Sequence, residues 1–426
     1  MTVRDDGRSN ALMPELGETP AGIARPLRVG LVLRRFDPRV GGAEGWSVRF
    51  AENLLSRGHQ VHVAATDFGA DGPPVVEHRV SAADSPWRQA ECAAAAVAQL
   101  PVDIVHDCGF GWSGDVFQPH TGSRVLNLER DLASLPLLRR LRSAASPGFR
   151  RWRRALAATE RRQMAAAAAI VAVSESVGRA IGRRYPAAEG RIRVVPNGVD
   201  TRRFSPDARR ADREAARRAL GLGEASAFLF VAQNFRLKGL DALLDSTARL
   251  LRETGAMVLL VAGDGDEATY RRKAEGLRLG DRVRFLGRVT GMPGLYAAGD
   301  VLVQPTFHDA CSLTTLEALA CGLPVVTTRA NGAADGMVSG CEGYVLERAG
   351  DVDALTGAMR RLLDADHRCA LGAAAARLGQ QRSFEANCDG ILAVYHEVLQ
   401  RRAMANTRGD RSPAAWPSAA RDNSRR

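Results

Sequence analysis

The sequence predicts an α/β protein of two parallel-sheet domains. Three observations lead there. Short apolar runs of strand length alternate with amphipathic helical stretches along nearly the whole chain. Runs such as Val301-Leu302-Val303-Gln304 read as strands buried between helices rather than as half-exposed strands. The 426 residues also exceed what a single core organises, and the alternation divides into two series, opening at Leu27 and at Phe228.

Composition is that of an ordinary globular protein, with 45% hydrophobic and 25% charged residues. No apolar run approaches the roughly 20 residues of a membrane span. Residues 1–26, with Asp5, Asp6, Arg8, Glu15 and Glu18, lack the apolar centre of a secretion signal and read as disordered. Seven scattered cysteines without Cys-x-x-Cys argue for reduced thiols in a cytoplasm, and against a zinc site or a disulfide framework. The net charge of +11 is local: residues 139–163 hold nine arginines against Glu160, and residues 401–426 hold seven against Asp410 and Asp422.

In the first series, Leu27 to Leu33 is a strand, and Gly41-Gly42-Ala43-Glu44 turns it into a helix carrying Trp46, Phe50, Leu54 and Leu55. Gly58 closes the helix, and Val61 to Ala64 is the next strand, so this is a βαβ unit. The turn is not Gly-x-Gly-x-x-Gly, which disfavours a dinucleotide dehydrogenase. Its paired glycines suit either close approach of a ligand or tight packing. A helix from Ser85 to Leu100 and strands at Ile104 to Asp107 and Val116 to Gln118 follow. His120, in Pro119-His120-Thr121-Gly122, then leaves a strand end at the carboxyl edge, where open α/β sheets bind ligands. Between Leu135 and Leu156, arginines interleave with Leu137, Leu138, Leu141, Phe149 and Trp152. That pattern suits either an anionic membrane surface or a solvated helical hairpin, and no module for nucleic acid accompanies it. A strand to Val173, a helix capped by Ser174 and the run Ile192 to Asp200 close the domain.

Asp207 to Leu222 reads as a charged helix connecting the domains. The second series has strands at Phe228 to Ala232, Val258 to Ala262, Val283 to Leu286, Val301 to Gln304, Pro324 to Thr327 and Tyr344 to Leu346. Helices at Gly239 to Glu253, Glu267 to Leu277, Val352 to Ala365 and Ala370 to Gln380 separate or follow them, and Phe384 to Arg402 is the last. Three loops at carboxyl edges carry chemistry. Gln233-Asn234-Phe235-Arg236-Leu237-Lys238-Gly239 sets two cations at a helix start, fit to stabilise a departing diphosphate. The turn Gly263-Asp264-Gly265 would let a base or ribose approach the backbone, and is a weak metal candidate. In the stretch Phe307 to Gly322, Ser312 caps a helix whose free amides suit a phosphate. Asp309 and Glu317 flank those amides and suit sugar hydroxyls. Each loop alone also reads as ordinary surface structure; their common placement at one cleft favours a nucleotide-sugar site.

Gly-Gly-Ala-Glu, Pro-His-Thr, Val-Pro-Asn-Gly-Val-Asp, Arg-x-Lys-Gly, Gly-Asp-Gly and acid-x7-Glu-Ala-x-Ala-x-Gly-x-Pro-Val-Val occur in this order from Leu27 to Arg402. The set resembles the family 4 (group 1) retaining glycosyltransferases, and within them the lipopolysaccharide-core glucosyltransferases. The resemblance implies a GT-B fold, two Rossmann-like domains facing a central cleft. Residues 27–205 would hold the acceptor and 206–383 the nucleotide sugar, while 384–402 would cross back to the first domain and 403–426 form a disordered basic tail. It also implies donor contacts from Gly41, Gly42, Asn234, Gly263, Gly265 and the backbone amides of Ser312, Leu313 and Thr314. Glu317 would take the ribose, Asp309 and His120 the transferred sugar, and Arg236 and Lys238 the diphosphate. The expected reaction is metal-independent hexose transfer, with a UDP-sugar as donor substrate and no cofactor, to a glycan or lipid-linked acceptor in the cytoplasm. Residues 139–163 would touch the inner face of the plasma membrane. Asp309 stands where the family usually has Glu, which opens the question of the sugar. An epimerase or a non-catalytic nucleotide-sugar-binding protein of the same fold are the alternatives.

Overall fold

The computed structural model describes residues 25–133, 142, 145–254 and 257–407. The expectations for residues 1–24, for Leu137, Leu138, Arg139, Arg140 and Leu141, and for the tail beyond residue 407 lie outside the described residues.

Two all-parallel sheets form the frame. The first has seven strands in the spatial order Val76–Arg79, Gln60–Ala65, Arg28–Val32, Ile104–Asp107, Val116–Phe117, Ala169–Ala172, Ile192–Val194. The second has six, in the order Val283–Gly287, Met257–Ala262, Ser226–Val231, Val301–Gln304, Val325–Thr328, Gly343–Leu346. In each sheet the chain starts in the interior and winds first one way, then the other, so Arg28–Val32 and Ser226–Val231 mark the switch points. A crevice opens there beyond the carboxyl ends of parallel strands. The sequence explains the parallel pairing: Met257–Ala262 is buried at every position, as a strand covered on both faces must be.

Helix starts follow the caps that the sequence shows. Ser85, Ser174, Ser205, Ser312 and Asp351 each accept an amide of the first turn through the side chain. Phe384–Thr407 packs on the first sheet: Tyr395 Oη and His106 Nδ1 lie 2.7 Å apart, and Trp46 Nε1 donates to Asn387 Oδ1 at 2.7 Å.

Three elements depart from expectation. The helix Pro206–Ala219 buries none of its residues, yet it docks firmly on the second domain. Arg213 and Arg217 reach Asp300 at 2.6 and 3.2 Å and also take the carbonyls at the end of the neighbouring helix. Charge, rather than an apolar stripe, holds it. The helix Met292–Ala298 was not foreseen; burial of Leu295 and Tyr296 supports it. The stretch expected as one helix from Val352 to Ala365 ends at Arg361, because Asp364 caps a new helix, Ala365–Gln381.

The domains share one apolar cluster, in which Val173, Val177 and Val199 join Ala310, Cys311 and Leu316. Ser174 Oγ donates to the Ala310 carbonyl at 2.7 Å, and Ser176 N donates to Asp335 Oδ2 at 3.0 Å. Gly332 sits at this seam: a Cβ there would lie 1.9 Å from the Ala310 carbonyl oxygen and 2.3 Å from Ser174 Oγ, so no larger residue fits.

Candidate active site

The second domain builds its half of the cleft on a buried polar network. Gln304, at the end of its strand and 1% exposed, accepts from Ser312 Oγ at 2.7 Å and Thr315 Oγ1 at 3.2 Å. Its amide nitrogen donates to the Val231 carbonyl and to Thr314 Oγ1. Asn331, fully buried, accepts from Ser312 N at 3.3 Å and donates to Thr315 Oγ1 and Thr327 Oγ1. Both side-chain amides thus have their oxygen and nitrogen engaged, which fixes the start of the helix Leu313–Ala320 against two strands. Since the Ser312 amide is taken by Asn331, the amides left for an oxyanion are those of Leu313 and Thr314. As the first two residues of the helix, these have no intrahelical acceptor.

Lys238 Nζ forms an ion pair with Asp309 Oδ2. The pair joins two neighbouring strand-end loops, and both side chains are largely withdrawn from solvent. Backbone bonds hold Asp309 from either side: its amide donates to Ala330 O and its carbonyl accepts from Gly332 N, both at 2.9 Å. Gly239 ends the cation loop at φ +83°, packed so closely on the Pro305 carbonyl that a Cβ would lie 2.2 Å from its oxygen.

Glu317 is one turn inside the helix and accepts from Tyr296 Oη at 2.8 Å. Burial pushes its carboxyl up to about 7, against the opposing pull of that hydrogen bond and of Arg49 and Arg203. Tyr296, on the unforeseen helix, is a residue that sequence reasoning missed.

From the first domain, His120 and Trp46 face the same space, with ring centroids 4.7 Å apart. Burial pushes the His120 imidazole down to about 4, so it is neutral at physiological pH, and its Nε2 has no hydrogen-bond partner among the described residues. A Cβ on Gly42 would meet Leu313 Cδ1 at 3.2 Å, so the two domains approach here helix start to helix start. Asn197 crosses the seam, donating to the Cys311 carbonyl at 3.2 Å while its buried Oδ1 has no hydrogen-bond partner among the described residues. It lies in the Val-Pro-Asn-Gly-Val-Asp motif, which was the available signal for it.

A cleft of about 760 Å³ brings together Gly42, His120, Asn234, Lys238, Gly263, Asp309, Ser312, Leu313 and Thr314 from the expected set. Arg288, also on its wall, reaches across to the Arg39 carbonyl at 3.2 Å and was not anticipated. Gly41, Arg236, Gly265 and Glu317 are not among the lining residues. Gly41 precedes the helix Gly42–Ser56 and packs on Glu44. Arg236 is exposed, and its charge acts on Tyr270. Gly265 lies against the Phe235 ring, and Asp266 caps the helix Glu267–Gly276. Among the described residues no group of three or more His, Cys, Asp or Glu side chains is placed to hold a metal ion.

Comparisons with known proteins accord with this geometry. Residues 40–203 match the family described as Glycosyltransferase Family 4, and residues 225–365 match Glycosyl transferases group 1. Over 404 residues the chain is 32% identical to the D-inositol 3-phosphate glycosyltransferase of Geodermatophilus obscurus, covering 86% of this chain and 87% of that protein. Its fold matches the crystal structure of WaaG, a glycosyltransferase involved in lipopolysaccharide biosynthesis. The TM-score is 0.69 at 23% identity, over 85% of this chain and 97% of the other. Anabaena Alr3699/HepE in complex with UDP-glucose matches with a TM-score of 0.63 at 18% identity, over 89% and 100% of the two chains.

Proposed function

The chain belongs to the family 4, group 1 glycosyltransferases and has their GT-B fold; from that premise we propose that it transfers a hexose from a UDP-sugar, with retention, to a glycan or lipid-linked acceptor of envelope polysaccharide or lipopolysaccharide synthesis. The observation that carries the reading is a single cleft in which a lysine, two free helix amides and a neutral histidine converge from both domains. The HepE complex with UDP-glucose is the reason for naming that donor class.

In this reading the second domain holds the donor. The diphosphate lies against the Leu313 and Thr314 amides, and Asp309 turns from Lys238 to the hexose hydroxyls. Lys238 is then free to neutralise the charge that grows on the departing β-phosphate. Arg236, two residues away on the same loop, assists, and no divalent ion is required. Glu317 takes a ribose hydroxyl with the oxygen that Tyr296 does not use. The anomeric carbon's bond to the phosphate oxygen breaks as the acceptor oxygen bonds on the same face, and the acceptor's proton passes to that phosphate. Among the described residues the first domain lends no carboxylate to the cleft wall that could act as a nucleophile, so the two-carboxylate route of retaining hydrolases is not used. His120, neutral, contacts the sugar near the reacting carbon without adding positive charge.

We also place the arginine-rich helix Pro147–Ala166 at an anionic membrane on the cytoplasmic side. Its C-terminal half packs into the first domain through Leu156, Glu160, Gln163 and Met164. Its N-terminal half leaves Arg150, Arg151, Arg153 and Arg154 exposed around Trp152, which is 40% exposed and stacked on Phe149. Among the described residues no helix is long and apolar enough to cross a membrane.

The deciding experiment is a binding and turnover screen of UDP-, GDP- and ADP-sugars with and without chelator. The reading expects UDP-sugar binding and transfer unaffected by chelation. Isomerised donor without transfer would identify an epimerase, and binding without turnover on any acceptor a non-catalytic protein. Loss of the rate on chelation, restored by Mg²⁺, would end the metal-free assignment.

A further inference from the structure

A cavity of about 420 Å³ opens on the second domain at the edge of its sheet opposite the cleft. Asp300 and Pro324 line it, and each immediately precedes a strand, Val301–Gln304 or Val325–Thr328. The helices Pro206–Ala219 and Ala365–Gln381 wall it, and Cys321 and Gly322, just past the end of Leu313–Ala320, complete the lining. Leu313–Ala320 turns its first amides to the cleft and its other end to this cavity. The two spaces are thus separated by that helix, about 12 Å long at about 1.5 Å per residue. Gln380, on one wall helix, donates to the carbonyls of Phe204 and Ala320 at 3.2 and 3.1 Å, tying it to the segment by which the chain enters the domain.

Four arginines line the cavity, Arg209, Arg210, Arg213 and Arg368, against one carboxylate, Asp300. That carboxylate is already committed: it accepts from Arg213 at 2.6 Å, from Arg217 at 3.2 Å and from the Ala227 amide at 2.8 Å. The other three arginines exceed this structural need. Arg209 has no ion pair among the described residues; it donates to the carbonyls of Tyr296 and Gly299 at 3.4 and 2.8 Å, which occupy N–H groups without cancelling charge. Burial first, and Arg213 second, hold its guanidinium below the ordinary value. Arg368, half-buried, gives Nη1 to the Leu362 and Leu363 carbonyls at 2.7 Å, and its Nε and Nη2 have no acceptor among the described residues. Arg210 pairs with Asp207, but both side chains are at least 75% exposed, and such pairs neutralise little. Burial pushes the Cys321 thiol up to about 12, so it adds no negative charge. A concave wall of one sign, partly withdrawn from water, focuses its field on an anion.

We propose that this cavity is a second ligand site, remote from the cleft, and that it takes a small phosphate-bearing anion held by Arg209, Arg210 and Arg368. The three come from both walls, two from Pro206–Ala219 and one from Ala365–Gln381, so a bound phosphate bridges the helices. Their forked donors match phosphate oxygens in pairs. The volume falls within the roughly 300–1,000 Å³ of small-molecule sites, which leaves space beside the phosphorus for an organic ester. The phosphate can be free or esterified; the chemistry of recognition is the same. Because the two helices adjoin the segments by which the chain enters and leaves the domain, occupancy stabilises the domain by mass action. The inference does not depend on the reaction that the cleft performs.

The test titrates the full chain calorimetrically with inorganic phosphate at constant ionic strength and with UDP in excess, beside Arg210→Gln and Arg368→Gln. Arg210 is exposed, so its variant keeps the fold, which circular dichroism verifies. Saturable binding that weakens about tenfold in each variant supports the site, the loss expected for one charge-assisted contact. A second readout needs no substitution: Cys369 is exposed on the cavity wall, whereas Cys341 is exposed outside it. Phosphate should slow alkylation of Cys369 and leave Cys341 unchanged, as peptide mass spectrometry reports. Inorganic phosphate, pyrophosphate and glycerol phosphate run side by side identify the source, since the tightest of them shows whether a free or an esterified phosphate fits. Binding that UDP abolishes, that is equal in the double variant, or that fails to saturate at tens of millimolar overturns the proposal. So does protection of Cys369 that chloride reproduces at the same ionic strength.

Discussion

Lys238 and Asp309 close on each other across two adjacent strand-end loops, the ammonium of one on Oδ2 of the other. Under the proposed function a sugar and a diphosphate would each claim one member, and the ion pair would keep both groups oriented until a donor arrives. Lys238→Ala should lower transfer by about 10²-fold or more, the scale of losing one positioned charge at a developing oxyanion. Lys238→Ala with Asp309→Asn should cost clearly less than the two separate losses combined. Steady-state kinetics on the four proteins checks this, and strict additivity would show that the pair does not act as a unit.

Glu317 gives a pH dependence of definite sign. Its carboxyl is held up at about 7 by burial, so the folded chain binds that proton more tightly than the unfolded one does. The stabilisation is complete below the ordinary carboxylate range and is lost as pH climbs through 7. At about 1.4 kcal/mol per pKa unit, the loss is capped at roughly 3.5 kcal/mol. Glu317→Gln, neutral throughout, should melt at a higher temperature than the parent near pH 8 and equally near pH 4, while binding UDP-sugar more weakly. Equal melting temperatures at both pH values would refute the assignment.

His120 should leave no imidazole step near pH 6.5 in the rate profile, since burial holds it down at about 4. His120→Ala should reduce kcat by about 10²-fold and leave the KM for donor within a few-fold. A rate falling off between pH 7 and pH 6 and losing that feature in the variant would contradict a neutral ring.

The polar support under the helix start should be costly to disturb. Gln304→Leu strands Ser312, Thr314, Thr315 and the Val231 carbonyl without their buried partner. A loss of about 2–4 kcal/mol is expected, measured as a shift in the denaturant midpoint. A shift under about 0.5 kcal/mol, the range of ordinary surface changes, would mean that the network contributes little.

Membrane attachment predicts co-flotation with anionic vesicles at low salt. Each exposed arginine of Pro147–Ala166 near the surface contributes on the order of 1 kcal/mol. Charge reversal of Arg150, Arg151, Arg153 and Arg154 together should abolish flotation, and equal flotation on neutral vesicles would exclude the electrostatic account.

Much of the fold was legible because each cue acts locally. A serine or aspartate cap needs only the next three residues, and the buried strands declare themselves by unbroken apolar runs, as at Met257–Ala262. Elements held by distant partners were less legible. The helix Met292–Ala298 is stabilised by Tyr296 packing out of solvent, and Pro206–Ala219 by arginines that find Asp300 some eighty residues on. The first leaves no periodic trace in its own segment; the second reads as a charged helix, but where it docks does not.

For the site, the sequence by itself determined which loops line the cleft: a strand end, a glycine and an acid or cation, repeated at the carboxyl edge of each sheet. The tertiary structure decided which groups face the cleft and in what state. It set Lys238 against Asp309, engaged the Ser312 amide with Asn331, left Arg236 outside the lining, and turned Glu317 to Tyr296. Motifs are read along the chain, whereas orientation, burial and charge compensation depend on neighbours that only folding supplies.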